Sequence, residues 1–133
     1  MATTTTTLTP ATLLASVACV PGTPQRATRS MLGKLGGLVT AKITNGATGP
    51  TVQCVATLLV AHTTGSTPTA AGEGADWKTL AVLGGGGSTN SAVSTFSYEV
   101  PPCCHLEIEF AGNTVQNVTV EAFITDYTDL QTA

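Results

Sequence analysis

Leu106-Glu107-Ile108-Glu109-Phe110-Ala111-Gly112-Asn113, with Val118-Thr119-Val120-Glu121-Ala122 shortly after it, decides the fold class. Successive side chains of a strand point to opposite faces, so a period of two sorts them. In the first segment Cys104, Leu106, Ile108 and Phe110 share one face, and His105, Glu107 and Glu109 the other. In the second, Val118, Val120, Ala122 and Ile124 share a face opposite Thr119 and Glu121. Gly112-Asn113 lies between them as a turn. Two alternating runs joined by a turn read as half-buried antiparallel strands.

Moving outward, the same reading predicts strands over 104–110 and 117–125, and also over 13–20, 38–44, 51–62, 77–83 and 92–100. In 51–62, Val52, Cys54, Ala56, Leu58 and Val60 share a face, and the opposite face is largely apolar too. A strand apolar on both sides is central or covered by a neighbour. Pro21-Gly22, Asn45-Gly46, Gly49-Pro50 and Pro101-Pro102 punctuate the pattern. Residues 21–34 and Thr63–Ala75 read as loops, Gly84–Gly87 as a flexible hairpin loop, and Asp126–Ala133 as a polar surface trail. Residues 1–10 are a low-complexity Thr tract. They are expected to form a flexible extended arm, Thr3, Thr4, Thr5, Thr6 and Thr7 at its heart, ordered only by another subunit. The fold expected is all-β: an antiparallel β-sandwich of about seven strands over a single domain, 11–133, with an N-terminal arm. A small barrel is the alternative.

With 133 residues, 42% of them hydrophobic, the chain can bury a core. Only 10% are charged, below the usual quarter. Thr is the commonest residue, and its β-branched side chain suits a pleated surface. A surface so poor in charge is suited to being covered by neighbours. The net charge of −3 and the loose basic group Arg26, Arg29 and Lys34 give a weak footprint for nucleic acid, and no nucleic-acid partner is expected. No run reaches the ~18 apolar residues of a membrane span. The start has no positive region ahead of Leu13-Leu14 and does not read as a secretory signal. Synthesis and retention in a cytosol are expected.

No catalytic constellation emerges, and the chain reads as non-enzymatic and without cofactor. His105, Glu107 and Glu109 share a strand face at metal-ligand spacing, but no further ligand accompanies them, and an exposed polar face accounts for them. The glycine run lacks the Lys and Ser/Thr of a phosphate loop. Asn117-Val118-Thr119 matches a glycosylation sequon but sits on a predicted strand. The cysteines carry the most chemistry. Cys19, Cys54 and Cys104 have inward parity and read as small buried residues. Cys103 is expected to face outward, where it could bridge to a neighbouring subunit under oxidising conditions. All four are possible disulfide partners, and no Cys-x-x-Cys spacing points to zinc.

From Val39 onward the layout resembles the small β-sandwich decoration, or cement, proteins of tailed bacteriophage capsids. The residues that carry the resemblance are Lys42-Ile43-Thr44-Asn45-Gly46, Gly49-Pro50-Thr51, the isolated Trp77, Pro101-Pro102, and the two segments quoted first. It covers about two thirds of the chain and is a style of sequence more than a signature. The adjacent cysteines match no part of it. It implies a structural protein on the capsid exterior that bridges major capsid protein subunits and pairs with copies of itself, as a trimer with arms reaching neighbours. A tail, neck or fibre-base component of a virion is the second reading. A carbohydrate- or receptor-binding sandwich is the third, and the 5% aromatic content counts against it.

Overall fold

The computed structural model describes residues 3–62 and 77–132, the side chains of 3–5 and 129–132 excepted. The predicted loop at Thr63–Ala75 lies outside the described residues. Eight strands follow in chain order: β1 (Thr3–Cys19), β2 (Gln25–Ser30), β3 (Gly37–Asn45), β4 (Val55–Ala61), β5 (Trp77–Gly85), β6 (Val93–Val100), β7 (His105–Ala111) and β8 (Val118–Thr132). They form two four-stranded sheets, ordered β1-β8-β3-β6 and β2-β7-β4-β5, with every pairing antiparallel. The chain is thus an antiparallel β-sandwich. With eight strands interleaved between two sheets in this order, its topology is a jelly roll.

The inner faces follow the alternation of the sequence. Val39, Ala41 and Ile43 of β3 and Val118, Val120, Ala122 and Ile124 of β8 are buried from one sheet. Ala56 and Leu58 of β4 and Leu106, Ile108 and Phe110 of β7 meet them from the other. Phe96 and Tyr98 are half-buried against the same cluster. Trimming Ile108 to Val removes one methylene from this close-packed layer, and chemical denaturation is expected to show a loss of about 0.5–1.5 kcal/mol.

Four expectations are corrected. The first is the arm. Thr3–Thr7 is part of β1, paired with Thr128–Thr132 of β8. The C-terminal stretch expected as a surface trail is its partner, and strand-favouring Thr residues supply one side of the ladder. Secondly, residues 25–30 form a strand instead of a loop. The segment has no apolar alternation, but it bonds along β7 from Gln25↔Phe110 to Ser30↔His105. Its charges are matched there: Arg26 meets Glu107 at 3.2 Å and Glu109 at 2.7 Å.

Thirdly, β4 begins at Val55, so Val52 is exposed and not part of the inward face. Fourthly, the glycine run is packed. Gly84 and Gly85 belong to β5. A Cβ on Gly84 would lie 2.6 Å from the Phe96 ring, and one on Gly86 2.6 Å from Ile43. The buried Asn45 side chain ties the run down, donating from Nδ2 to the carbonyls of Gly86, Gly87 and Thr89 at 3.3, 3.2 and 2.9 Å. Glycines there let backbone approach the opposite sheet closely.

Candidate functional site

Polar side chains capable of chemistry sit mainly on β7 and β2. His105, Glu107 and Glu109 do share the face of β7 that points away from the interior. They are not an exposed polar face as expected: His105 and Glu107 are buried, beside Leu59, Ala61 and Trp77. A carboxylate with no solvent needs a counter-charge, and Arg26 supplies it to both glutamates. A guanidinium in that place opposes a metal cation. His62 is exposed and follows Ala61, the partner of His105, just past the end of β4. Among the described residues no group of three His, Cys, Asp or Glu is placed to hold a metal.

Arg29 and Lys34, the other two residues of the loose basic group, are also drawn into the fold. Arg29 of β2 donates from Nε to Oδ1 of Asp126 at 3.1 Å and from a terminal nitrogen to its Oδ2. Lys34 reaches the same carboxylate at 3.8 Å. Asp126 is fully buried on β8, so this ion pair joins the two sheets. The loose basic group is therefore a set of half-exposed counter-ions to buried carboxylates. A signal for this was present in the inward parity of Asp126 after Ile124, but parity alone does not say what pairs with it.

The four cysteines separate into two pairs. Cys19 ends β1 and Cys54 precedes β4, so they come from opposite sheets, and both are completely buried. Their thiols meet beside the Phe110–Ala111 peptide: the Cys19 thiol lies 3.5 Å from the Phe110 carbonyl oxygen, and the Ala111 backbone bonds to Cys54. Asn113, also buried, accepts from the Cys19 thiol at 3.4 Å and donates to the Cys19 carbonyl at 2.9 Å. A hydrogen bond from Cys54 lowers Cys19 to about 7 against the opposing effect of burial. The same contact, with burial, pushes Cys54 up. All four thiols are free.

Cys103 does not face outward as expected. β7 starts only at His105, so strand parity does not extend to Cys103, which packs half-buried against the core. Burial, and then the neighbouring Cys104, raise its pKa. Cys104 is half-buried as well, and its carbonyl accepts from the Met31 N–H at 2.8 Å. Exposure controls thiol reactivity. Iodoacetamide applied to native protein is expected to label Cys103 and Cys104, and Cys19 and Cys54 only after denaturation, read by peptide mass spectrometry.

The most unusual surface lies along β1. Among the described strands β1 lies at the edge of its sheet, laddered to β8, and the Gln25 side chain of β2 donates to its Ala18 carbonyl at 3.2 Å. β3 lies along β8 only as far as Gly37↔Asp126, and the backbone of Gly36 and Leu35 adds bonds to Tyr127. Beyond that point β1 and β8 continue paired with each other to Thr3↔Thr132, a ribbon of two strands among the described residues. On the outward face at its base sit Leu8, Leu38 and Phe123, which are 61%, 40% and 43% exposed. Thr3–Thr7, expected as an inter-subunit arm, are thus the outer rail of this ribbon.

No protein-family model matches the chain, and no curated protein is similar to it. Among solved structures, it is similar to a chain of the infectious bursal disease virus Gx strain structure, with a TM-score of 0.50 and 10% identity, covering 92% of this chain and 32% of that one. For VP2 in a subviral particle of infectious bursal disease virus the TM-score is 0.48 and the identity 9%, over 92% of this chain and 33% of that one. The chain spans about a third of the length of these proteins. At such identity the likeness is one of fold: this chain shares the β-sandwich of a protein from a virus particle.

Proposed function

We propose that this chain is a non-enzymatic structural protein of a virion, which decorates a bacteriophage capsid on its outside and stabilises it by bridging major capsid protein subunits. The observation that carries the reading is the jelly-roll strand order, an architecture used for viral capsid domains, together with the fold likeness to a protein of a virus particle. Jelly rolls also serve as lectins and as metal-holding cupins. Among the described residues the interior between the sheets is filled by apolar side chains, among them Val39, Ile43, Leu58, Leu106, Ile108 and Phe110. The low charge and the exposed apolar side chains Leu8, Leu38 and Phe123 suit a protein whose surfaces are covered in an assembly. Its partners in this reading are the major capsid protein and further copies of itself, grouped as trimers. Neither nucleic acid nor membrane is a partner.

The test is co-sedimentation of purified protein with capsids that lack it, followed by cryo-electron microscopy. Saturable binding with density outside the shell, and capsids that survive heating better when decorated, is the expected result. Failure to bind capsids, with the protein recovered instead from isolated tails, would replace this reading with the tail or neck assignment.

A further inference from the structure

We propose that Cys19 and Cys54 form an oxidation site for small peroxides, at which the two thiols close to a disulfide that joins the two sheets. Both side chains are completely buried in one core cluster. Cys19 ends β1 in one sheet, and Cys54 stands immediately before β4 of the other. The two thiols are hydrogen-bonded to each other, so the fold has already brought them together. Their backbones are held in place as well. The Cys19 carbonyl accepts from Nδ2 of Asn113 at 2.9 Å, and the Cys54 carbonyl from the Gly86 N–H at 2.9 Å. Antibody domains carry a disulfide between facing sheets, so such a link suits a β-sandwich.

A cavity gives the oxidant its approach. It has a volume of about 230 Å³ and is lined by Val20, Thr23 and Pro24 between β1 and β2, and by Ala111, Gly112 and Asn113 at the end of β7. Val20, Thr23 and Gly112 are exposed, so its mouth is at the surface. Thr23 and Asn113 also receive the Cys19 thiol, one through its carbonyl at 3.9 Å and the other through Oδ1 at 3.4 Å. The cavity therefore ends against the residues that hold the sulfur. A bulky alkylating agent cannot pass them, whereas hydrogen peroxide is little larger than water. The site sits at the Val55–Gly85 end of β4 and β5, opposite the Ala61–Trp77 end.

The chemistry divides between the two sulfurs. The hydrogen bond from Cys54 lowers Cys19 to about 7 in spite of burial, so a thiolate, the nucleophilic form, is available near neutral pH. It attacks one oxygen of the peroxide, the O–O bond breaks, and the departing hydroxide takes up a proton as water. Cys19 is then a sulfenic acid. Cys54 is held protonated by its contact with Cys19 and by burial. Oxidation of Cys19 removes the negative charge behind the first of these effects. The Cys54 sulfur then displaces the hydroxyl from Cys19, and its proton leaves with that hydroxyl as a second water. Two thiols and one hydrogen peroxide thus give one disulfide and two waters. This reaction goes beyond the assembly reading above and does not depend on it.

The test is treatment of the folded full chain with hydrogen peroxide, followed by catalase, alkylation of the remaining thiols in denaturant and tryptic mass spectrometry. Trypsin separates the cysteines: Cys19 falls in residues 1–26, Cys54 in 43–78, and Cys103 and Cys104 in 79–133. The expected product is 1–26 linked to 43–78 within one molecule, with both thiols lost in equal measure. The urea midpoint should shift upward, since the link restricts the unfolded chain, and dithiothreitol should reverse both effects. Cys54→Ala should stop at a Cys19 sulfenic acid that dimedone traps, and Cys19→Ala should leave Cys54 reduced. Should either variant fail to fold, wild-type protein quenched early with dimedone serves instead: Cys19 should carry the adduct and Cys54 none. Cys19 and Cys54 that stay reduced in folded protein, a link from either to Cys103 or Cys104, or linkage only in denaturant would overturn the proposal. So would a dimedone adduct on Cys54 in place of Cys19. None of these outcomes decides whether the protein binds capsids, and failure to bind capsids would leave the disulfide intact.

Discussion

Replacing Asp126 with alanine is expected to cost about 3–5 kcal/mol, the range for breaking one side of a buried ion pair. Asp126 is fully buried and holds Arg29 of the facing sheet by two hydrogen bonds, with Lys34 close by. Without the carboxylate, two cationic groups face each other at the edge of the sandwich with no acceptor between them. The loss is larger than for an exposed pair, where solvent screens the attraction and the contribution is about 0–1 kcal/mol. Urea denaturation of Asp126→Ala, Arg29→Ala and the double variant checks this. The double variant should be less destabilised than the sum of the singles, since residues in one ion-pair network couple. Additive losses would mean that the two side chains act independently.

The second large effect is expected at Gly84. Its φ of +148° lies where L side chains rarely sit, and an added Cβ would meet the Phe96 ring at 2.6 Å. Overpacking of this kind costs about 1–3 kcal/mol, and the unfavourable backbone adds about 1–2 kcal/mol. Gly84→Ala is therefore expected to lose about 2–5 kcal/mol in thermal or chemical denaturation. Gly87 also has a positive φ but has nothing within 4 Å of its Cβ position, so Gly87→Ala should lose only the backbone part, about 1–2 kcal/mol. A comparison of the two separates the clash from the conformation. Phe96→Leu should restore part of the stability of Gly84→Ala, because the ring is the obstacle.

Both predictions rest on contacts that the sequence does not show, and the division has a consistent physical cause. Alternation is local, so the sequence by itself determined the class. Cys104–Phe110 and Asn117–Thr125 alternate as strands with Leu106, Ile108, Phe110, Val118, Val120, Ala122 and Ile124 inward, and all of these are buried, whereas Cys104, read as buried with them, lies ahead of β7 and is only half-buried. The regular spacing of about seven strand-like segments and turns likewise pointed to an antiparallel sandwich, and the eight described strands in two antiparallel sheets bear that out. It could not reveal strands whose side chains do not alternate in hydrophobicity. Thr3–Thr7 and the polar end of the chain are strands because they bond to each other across almost the whole sequence. Gln25–Ser30 is a strand because β7 offers it both a ladder and carboxylates for Arg26. In each case the stabilising partner is distant in the chain, and no short window contains it.

The candidate site divides the same way. Inward parity placed Cys19 and Cys54 in the core, but only the facing of the two sheets brought their thiols together beside Phe110 and Ala111. Parity misplaced Cys103 because the strand it assumed begins two residues later, at His105. The glycine run looked like a flexible loop, since glycine permits both freedom and close approach. Only the packing of Phe96, Ile43 and Asn45 against it selected the second. Which segments alternate, and which stretches lack charge, could be read along the chain. The tertiary structure alone decided the strand order among the described residues, because a strand's neighbours are set by pairings far apart in the chain.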